Sequence, residues 1–201
     1  MKIKVCGLRN YGNISNVIIA GADHIGFIFH KKSPRYFNDA LSFDEVRSIK
    51  VKKVGVFVDA SVYSVLDKVA HYDLDYVQLH GNESPEYCKE LRPYVKVIKS
   101  FGIHEQFNFG KLDDYEVDHF LFDTKTENHG GSGMSFDHQL LKKYNGDISF
   151  FLSGGISETT IQAIKQLNLK HLYGVDLNSK FESSPGIKEA FKIKQFIKQL
   201  Q

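Results

Sequence analysis

The stretch "KVGVFVDASVYSVLDKVAHYDLDYVQLHG", residues 53–81, decides the fold. It opens on one β-rich run, KVGVFV (53–58), and closes on another, DYVQLH (75–80). Between them Val62, Val65, Leu66 and Val69 fall at offsets 0, 3, 4 and 7, which is one apolar stripe of an α-helix. Strand, helix, strand in so short a span predicts two parallel strands joined by a right-handed crossover.

Working outward, the same alternation continues to both ends. Further strands are predicted at KIKVC (2–6), HIGFIF (24–29), VKVIKSF (95–101), HFLFD (119–123), ISFFLS (148–153) and HLYGVD (171–176). Helical stripes lie at Ile14, Val17 and Ile18; at Phe136, Leu140, Leu141 and Tyr144; and at Ala190, Ile193, Phe196, Ile197 and Leu200. Ser42 with Glu45 reads as a capping box, and Ser84 before Pro85 as an N-cap followed by proline in the first helical position. The segment 104–116 is polar and without clear period, so no regular helix is expected there. Eight such units predict an α/β chain: a single-domain (β/α)8 TIM barrel of eight parallel strands over residues 1–201, with a reduced fifth helix. An open doubly wound sheet is the alternative, but it needs a domain break that the sequence does not offer. The only long loop, TKTENHGGSGMS (124–135), is glycine-rich, as lids and disordered loops are.

Composition narrows the function classes. The 201 residues are 42% hydrophobic and 25% charged, with a net charge of +2, so neither nucleic acid nor a membrane is the expected partner. No apolar run has the length of a membrane span, and MKIKVCG lacks the apolar region of a signal peptide. Two cysteines, Cys6 and Cys88, make no disulfide framework and point to a reducing, cytoplasmic setting. With no CxxC and no HExxH, no metal is expected. Cys88, with Tyr87 and Leu91 at helical spacing, reads as a core thiol.

Strand alternation then sorts the faces. Ile3 and Val5 should pack outward on helices, leaving Lys4 and Cys6 inward. By the same parity Phe120 and Phe122 face out and Asp123 in; Val77 and Leu79 face out, Gln78 and His80 in; Tyr173 and Val175 face out, Gly174 and Asp176 in. Cys6, His80, Asp123 and Asp176 thus converge on the strand C-termini, the mouth that carries the active site in this fold. Each alone has a plainer reading: a core thiol, a structural histidine, a helix-capping aspartate. Their coincidence on different strands favours function. A thiolate and a carboxylic acid across a pocket make a base–acid pair. Lys4, on the same face as Cys6, can favour the thiolate or pair with an acidic neighbour. SGGIS (153–157) after the seventh strand, and GVDLNSKFES after the eighth, stand where phosphate commonly sits in this fold. In HKKSPRY (30–36), Lys31 and Lys32 read as surface residues, whereas Arg35 beside Pro34 suits a substrate carboxylate.

KVCGLRN, ADHIGFIFHKKSPRY, VGVFVD, VQLHG, FLFD with its glycine-rich loop, LSGGI and GVDLNS occur in the order found in the phosphoribosylanthranilate isomerase family. The resemblance covers nearly the whole chain. It implies an Amadori rearrangement of N-(5-phosphoribosyl)anthranilate to 1-(2-carboxyphenylamino)-1-deoxyribulose 5-phosphate in tryptophan biosynthesis, with no cofactor and no metal. By resemblance Cys6 is the general base and Asp123 the general acid. Arg35 would hold the anthranilate carboxylate, His80 would belong to the pocket, and Gly154, Gly155 and the segment Asp176 to Ser179 would line the phosphate site. The partner expected is a small phosphosugar substrate, with the chain a monomer or homodimer. Many members have Ser-Gly where this chain has Ser179-Lys180. Two readings stand beside this one. A related phosphosugar aldose–ketose isomerase would place aspartate where Cys6 stands, and a non-catalytic phosphosugar-binding barrel would not need both Cys6 and Asp123.

Overall fold

The computed structural model describes residues 1–123 and 138–201; the loop 124–135 and Phe136 lie outside the described residues. Eight parallel strands form a closed barrel. They are β1 (Lys2–Cys6), β2 (His24–Ile28), β3 (Lys52–Phe57), β4 (Tyr76–Leu79), β5 (Lys96–Gly102), β6 (His119–Asp123), β7 (Phe150–Ser153) and β8 (Leu172–Leu177). Each pairs with its successor, and β8 returns to β1 through Lys4↔Asp176 and its neighbours. The helices are α1 (Tyr11–Ile19), α2 (Phe43–Ser48), α3 (Val62–Tyr72), α4 (Pro85–Leu91), α5 (Ile161–Leu167) and α6 (Ala190–Leu200). Their starts follow local chemistry. The reciprocal Ser42–Glu45 box begins α2, and Ser84 accepts from Tyr87 N ahead of Pro85 in α4. No helix among the described residues is long and apolar enough to cross a membrane.

Two units depart from the α pattern. A 3-10 helix, Phe109–Asp114, stands in for the fifth helix, as the weak periodicity suggested. The sixth unit, expected to be α-helical, also carries a 3-10 helix, His138–Lys143. Leu141 and Tyr144, three apart, are both buried, and three-residue spacing places side chains on one edge of a 3-10 turn. Beyond β8 a short hairpin, β9 (Glu182–Ser184) with β10 (Ile187–Lys188), precedes α6.

The core has two parts. The larger lies between strands and helices and holds Ile3, Val5, Val77, Leu79, Phe120, Phe122 and Val175. The smaller fills the barrel itself with Val54, Tyr76, Ile98, Leu121 and Phe151. Tyr173, expected to face outward, packs on this interior cluster instead. The register explains the difference: Phe150 pairs with Leu172 but Phe151 with Gly174, so Tyr173 is an extra residue that breaks the alternation. From Gly174 onward the parity is restored.

His24 closes the interior below the mouth. Its ring packs against Tyr76, Phe151 and Tyr173 at centroid distances of 5.6, 5.4 and 6.0 Å, and neither ring nitrogen has a hydrogen-bond partner among the described residues. Burial, reinforced by the Lys4 charge, lowers its pKa to about 4. The unfolded chain takes up this proton near pH 6.5, whereas the folded chain resists it until far lower pH. Stability is therefore complete above pH 6.5 and lost as pH falls toward 4. Urea melts near pH 7 and near pH 5 should differ by about 2 kcal/mol more in the wild type than in His24→Phe. Equal pH dependence in the two proteins would contradict a neutral, buried His24.

Candidate active site

The mouth is built from strand ends. Cys6 is the last residue of β1 and only 4% exposed. Gly7 follows at φ +79°, where a side chain is strained, and a Cβ there would come within 2.7 Å of Arg35 Cδ. Gly26, paired with Cys6 across β2, makes room for the thiol: a Cβ at Gly26 would lie 2.8 Å from Cys6 Sγ. The glycine inside a strand run was the available signal for this close approach, and sequence reasoning passed over it.

Lys4, fully buried, donates from Nζ to Asp176 Oδ1 at 2.9 Å. Burial pushes the Cys6 thiol up; Lys4 pulls it back, Asp176 raises it again and Lys188 lowers it, with a net upward result. Burial alone would depress Lys4, but Asp176 and Cys6 together hold it above its ordinary value. Of the two roles considered from sequence, Lys4 pairs with an acidic neighbour, and its charge pulls the thiol down against the larger effect of burial.

On the facing wall His80 Nε2 lies 3.6 Å from Asp123 Oδ2. Gln78 Nε2 lies 2.9 Å from His80 Nδ1, a contact that fixes the ring beside Asp123. The backbone beyond His80 is braced from outside the barrel. Lys99 donates to Leu79 O, Gly81 O and Glu83 Oε2, while Glu83 also accepts from Gly81 N and Asp59 N. This buried pair was not anticipated from sequence.

Asp123, Ser153, Gly154, Gly155, Ile156, Asp176, Asn178, Ser179 and Lys180 line one cavity of about 160 Å³. Gly154 and Gly155 bend the chain around it at φ +84° and +64°, and a Cβ on Gly155 would meet nothing within 4 Å, so this backbone borders open space. A 3-10 turn, Glu158–Thr160, precedes α5, so the loop rather than the α-helix forms the wall. Lys180 sits in a second 3-10 turn, Ser179–Phe181, without the positive φ that would demand glycine. Asp176 lines the cavity but its carboxylate is paired with Lys4, which offsets its charge. Arg35 is joined to Glu182 by a forked ion pair, and Glu182 to Lys188. Neither Glu182 nor Lys188 was singled out in the sequence, because both lie past the last barrel strand, in the β9–β10 hairpin. No cluster of metal-ligating residues occurs among the described residues.

Fold and mouth together define the class: a (β/α)8-barrel enzyme with a thiol, carboxylates and a small polar cavity at its strand C-termini. Comparison gives the family. A family profile described as "N-(5'phosphoribosyl)anthranilate (PRA) isomerase" matches residues 3–199. The chain is 44% identical to N-(5'-phosphoribosyl)anthranilate isomerase of Parabacteroides distasonis, over 100% of this chain and 93% of the relative. Among solved structures it resembles phosphoribosyl anthranilate isomerase from Thermus thermophilus, with TM-score 0.84 and 28% identity over 100% of this chain and 98% of that one. It also resembles a phosphoribosyl anthranilate isomerase in complex with reduced 1-(o-carboxyphenylamino)-1-deoxyribulose 5-phosphate, with TM-score 0.80 and 29% identity over 100% and 98%. The chain belongs to the N-(5'-phosphoribosyl)anthranilate isomerase family.

The Lys4 contact yields a direct expectation. In Lys4→Met, Cys6 loses the cation beside it and keeps Asp176, so its pKa should rise. Alkylation of the Cys6 peptide by iodoacetamide, followed by mass spectrometry across pH, should shift to higher pH; an unchanged profile would contradict the assignment.

Proposed function

We propose that this chain isomerises N-(5'-phosphoribosyl)anthranilate to 1-(2-carboxyphenylamino)-1-deoxyribulose 5-phosphate, with Cys6 as general base and Asp123 as general acid. The observation that carries the reading is the placement of these two groups at the last positions of β1 and β6, at the mouth of a barrel belonging to this family. Asp123, protonated, gives its proton to the ribose ring oxygen, and the ring opens to a Schiff base. The Cys6 thiolate then removes the proton from C2. The resulting enolamine tautomerises to the ketone, completing an aldose-to-ketose shift without net oxidation.

The surroundings support these roles. A thiol raised by burial is a stronger base once ionised, and Lys4 lowers the cost of ionising it. His80 Nε2 stands 3.6 Å from Asp123 Oδ2 and helps to position the proposed acid. Gly154, Gly155 and Ser179 hold the phosphate in the cavity they line, with Lys180 adding positive charge and the Lys4–Asp176 pair removing a repulsive one. Arg35 takes the anthranilate carboxylate. The barrel over residues 1–201 acts as one domain and takes a small phosphosugar from solution.

Decay of substrate fluorescence tests the reaction, and the chain contains no Trp to interfere. Wild type should consume the substrate, while Cys6→Ser and Asp123→Asn should each lose on the order of 10²-fold or more in kcat. No decay in a folded wild type would overturn the reading. Undiminished decay in either variant would overturn that residue's role.

A further inference from the structure

The Arg35 guanidinium is not simply exposed at the mouth. Its Nε donates to Glu182 Oε1 at 2.9 Å and to Oε2 at 3.1 Å, and its Nη2 also donates to Oε1. Glu182 takes a second cation, Lys188 Nζ, at 2.6 Å on Oε2. Lys188 in turn donates to Asn178 Oδ1 at 2.7 Å. The Glu182 side chain is 5% exposed and that of Lys188 0%, against 18% for Arg35. The hairpin bearing them is tied to α1 by Asn13, whose side chain accepts from Lys188 N at 2.8 Å and donates to Lys188 O at 2.7 Å.

Two features follow from this count. Two cations share one carboxylate, so the cluster keeps one positive charge. A guanidinium also offers two edges. The Nε/Nη2 edge is occupied by Glu182, while Nη1 has no hydrogen-bond partner among the described residues. One net positive charge and one open edge, beside Gly7 and Cys6, match a single carboxylate.

We propose that Glu182 is a positioning residue: with Lys188 as its counter-ion, it grips one edge of Arg35 and presents the other to the carboxylate of the substrate's aromatic ring. This rests on the function proposed above and assigns the group that orients its carboxylate contact. The alternative arrangement, in which substrate displaces Glu182 from Arg35, would remove one of the two cations from a carboxylate that is almost wholly buried, which is costly.

Binding separates the possibilities. The reduced product analogue, and the same compound without its ring carboxylate, would be titrated calorimetrically into the wild type, Glu182→Gln, Arg35→Ala and the double variant. In Glu182→Gln the carboxylated ligand should weaken about tenfold and the decarboxylated one stay unchanged. In the Arg35→Ala background the Glu182 change should add nothing further. Arg35→Lys, which keeps the charge but has no second edge, should lose the carboxylated ligand to a similar degree and serves if Glu182→Gln fails to fold. Tighter binding by Glu182→Gln would mean that Glu182 competes with the ligand and would overturn the proposal. Equal loss for both ligands would reduce Glu182 to a structural role and overturn it too. A folded wild type that binds neither ligand would instead overturn the functional reading beneath it.

Discussion

A buried ion pair sits at the point on which the site depends. Lys4 and Asp176, 0% and 6% exposed, join the first strand to the last at 2.9 Å. Burying two charges is unfavourable unless each meets the other closely, and removing one partner of such a pair typically costs about 3–5 kcal/mol. Here the pair lies at the seam where β8 returns to β1 and is the rung directly below Cys6. The same contact therefore ties barrel closure to the setting of the thiol. A positive charge next to the thiol favours ionisation, while a carboxylate next to a phosphate cavity would repel the ligand; pairing the two moderates both fields.

The rest of the mouth repeats this principle with different partners. Lys99 and Glu83, buried outside the barrel, brace the backbone just after His80. Arg35 and Lys188 share Glu182 beyond β8. His80 faces Asp123. Most charged groups near the chemistry thus have a fixed partner, so little reorganisation is needed when charge moves during a proton transfer, and preorganised charge is the largest single contribution to catalysis in many enzymes. Glycines occupy the approaches: Gly26 beside the Cys6 sulfur, Gly7 against the Arg35 stem, Gly155 at the cavity wall.

Much of this was legible in the sequence, for reasons that can be named. The eight strands announced themselves by alternating with helical stripes, and parity alone placed Lys4, Cys6, Asp123 and Asp176 inward. Tyr173 escaped the same rule because a bulge inserts one residue without altering composition. The 3-10 helix at His138–Lys143 was hidden because Leu140, Leu141 and Tyr144 fit an α stripe nearly as well as a tighter turn. Glu182 and Lys188 were passed over because parity reasoning stopped at the eighth strand, although Pro185-Gly186 marks a turn and hence a possible hairpin. The ion-pair partners themselves are long-range contacts, and local pattern carries no information about which charge meets which.

The most direct test of the whole account is a crystal structure of this chain with the reduced product analogue. The account predicts the phosphate between Gly154–Gly155 and Ser179, the C2 carbon within contact of Cys6 Sγ, and the ring carboxylate on the open edge of Arg35 with Glu182 still holding the other. Phosphate seated elsewhere, or a C2 carbon out of reach of Cys6, would contradict it.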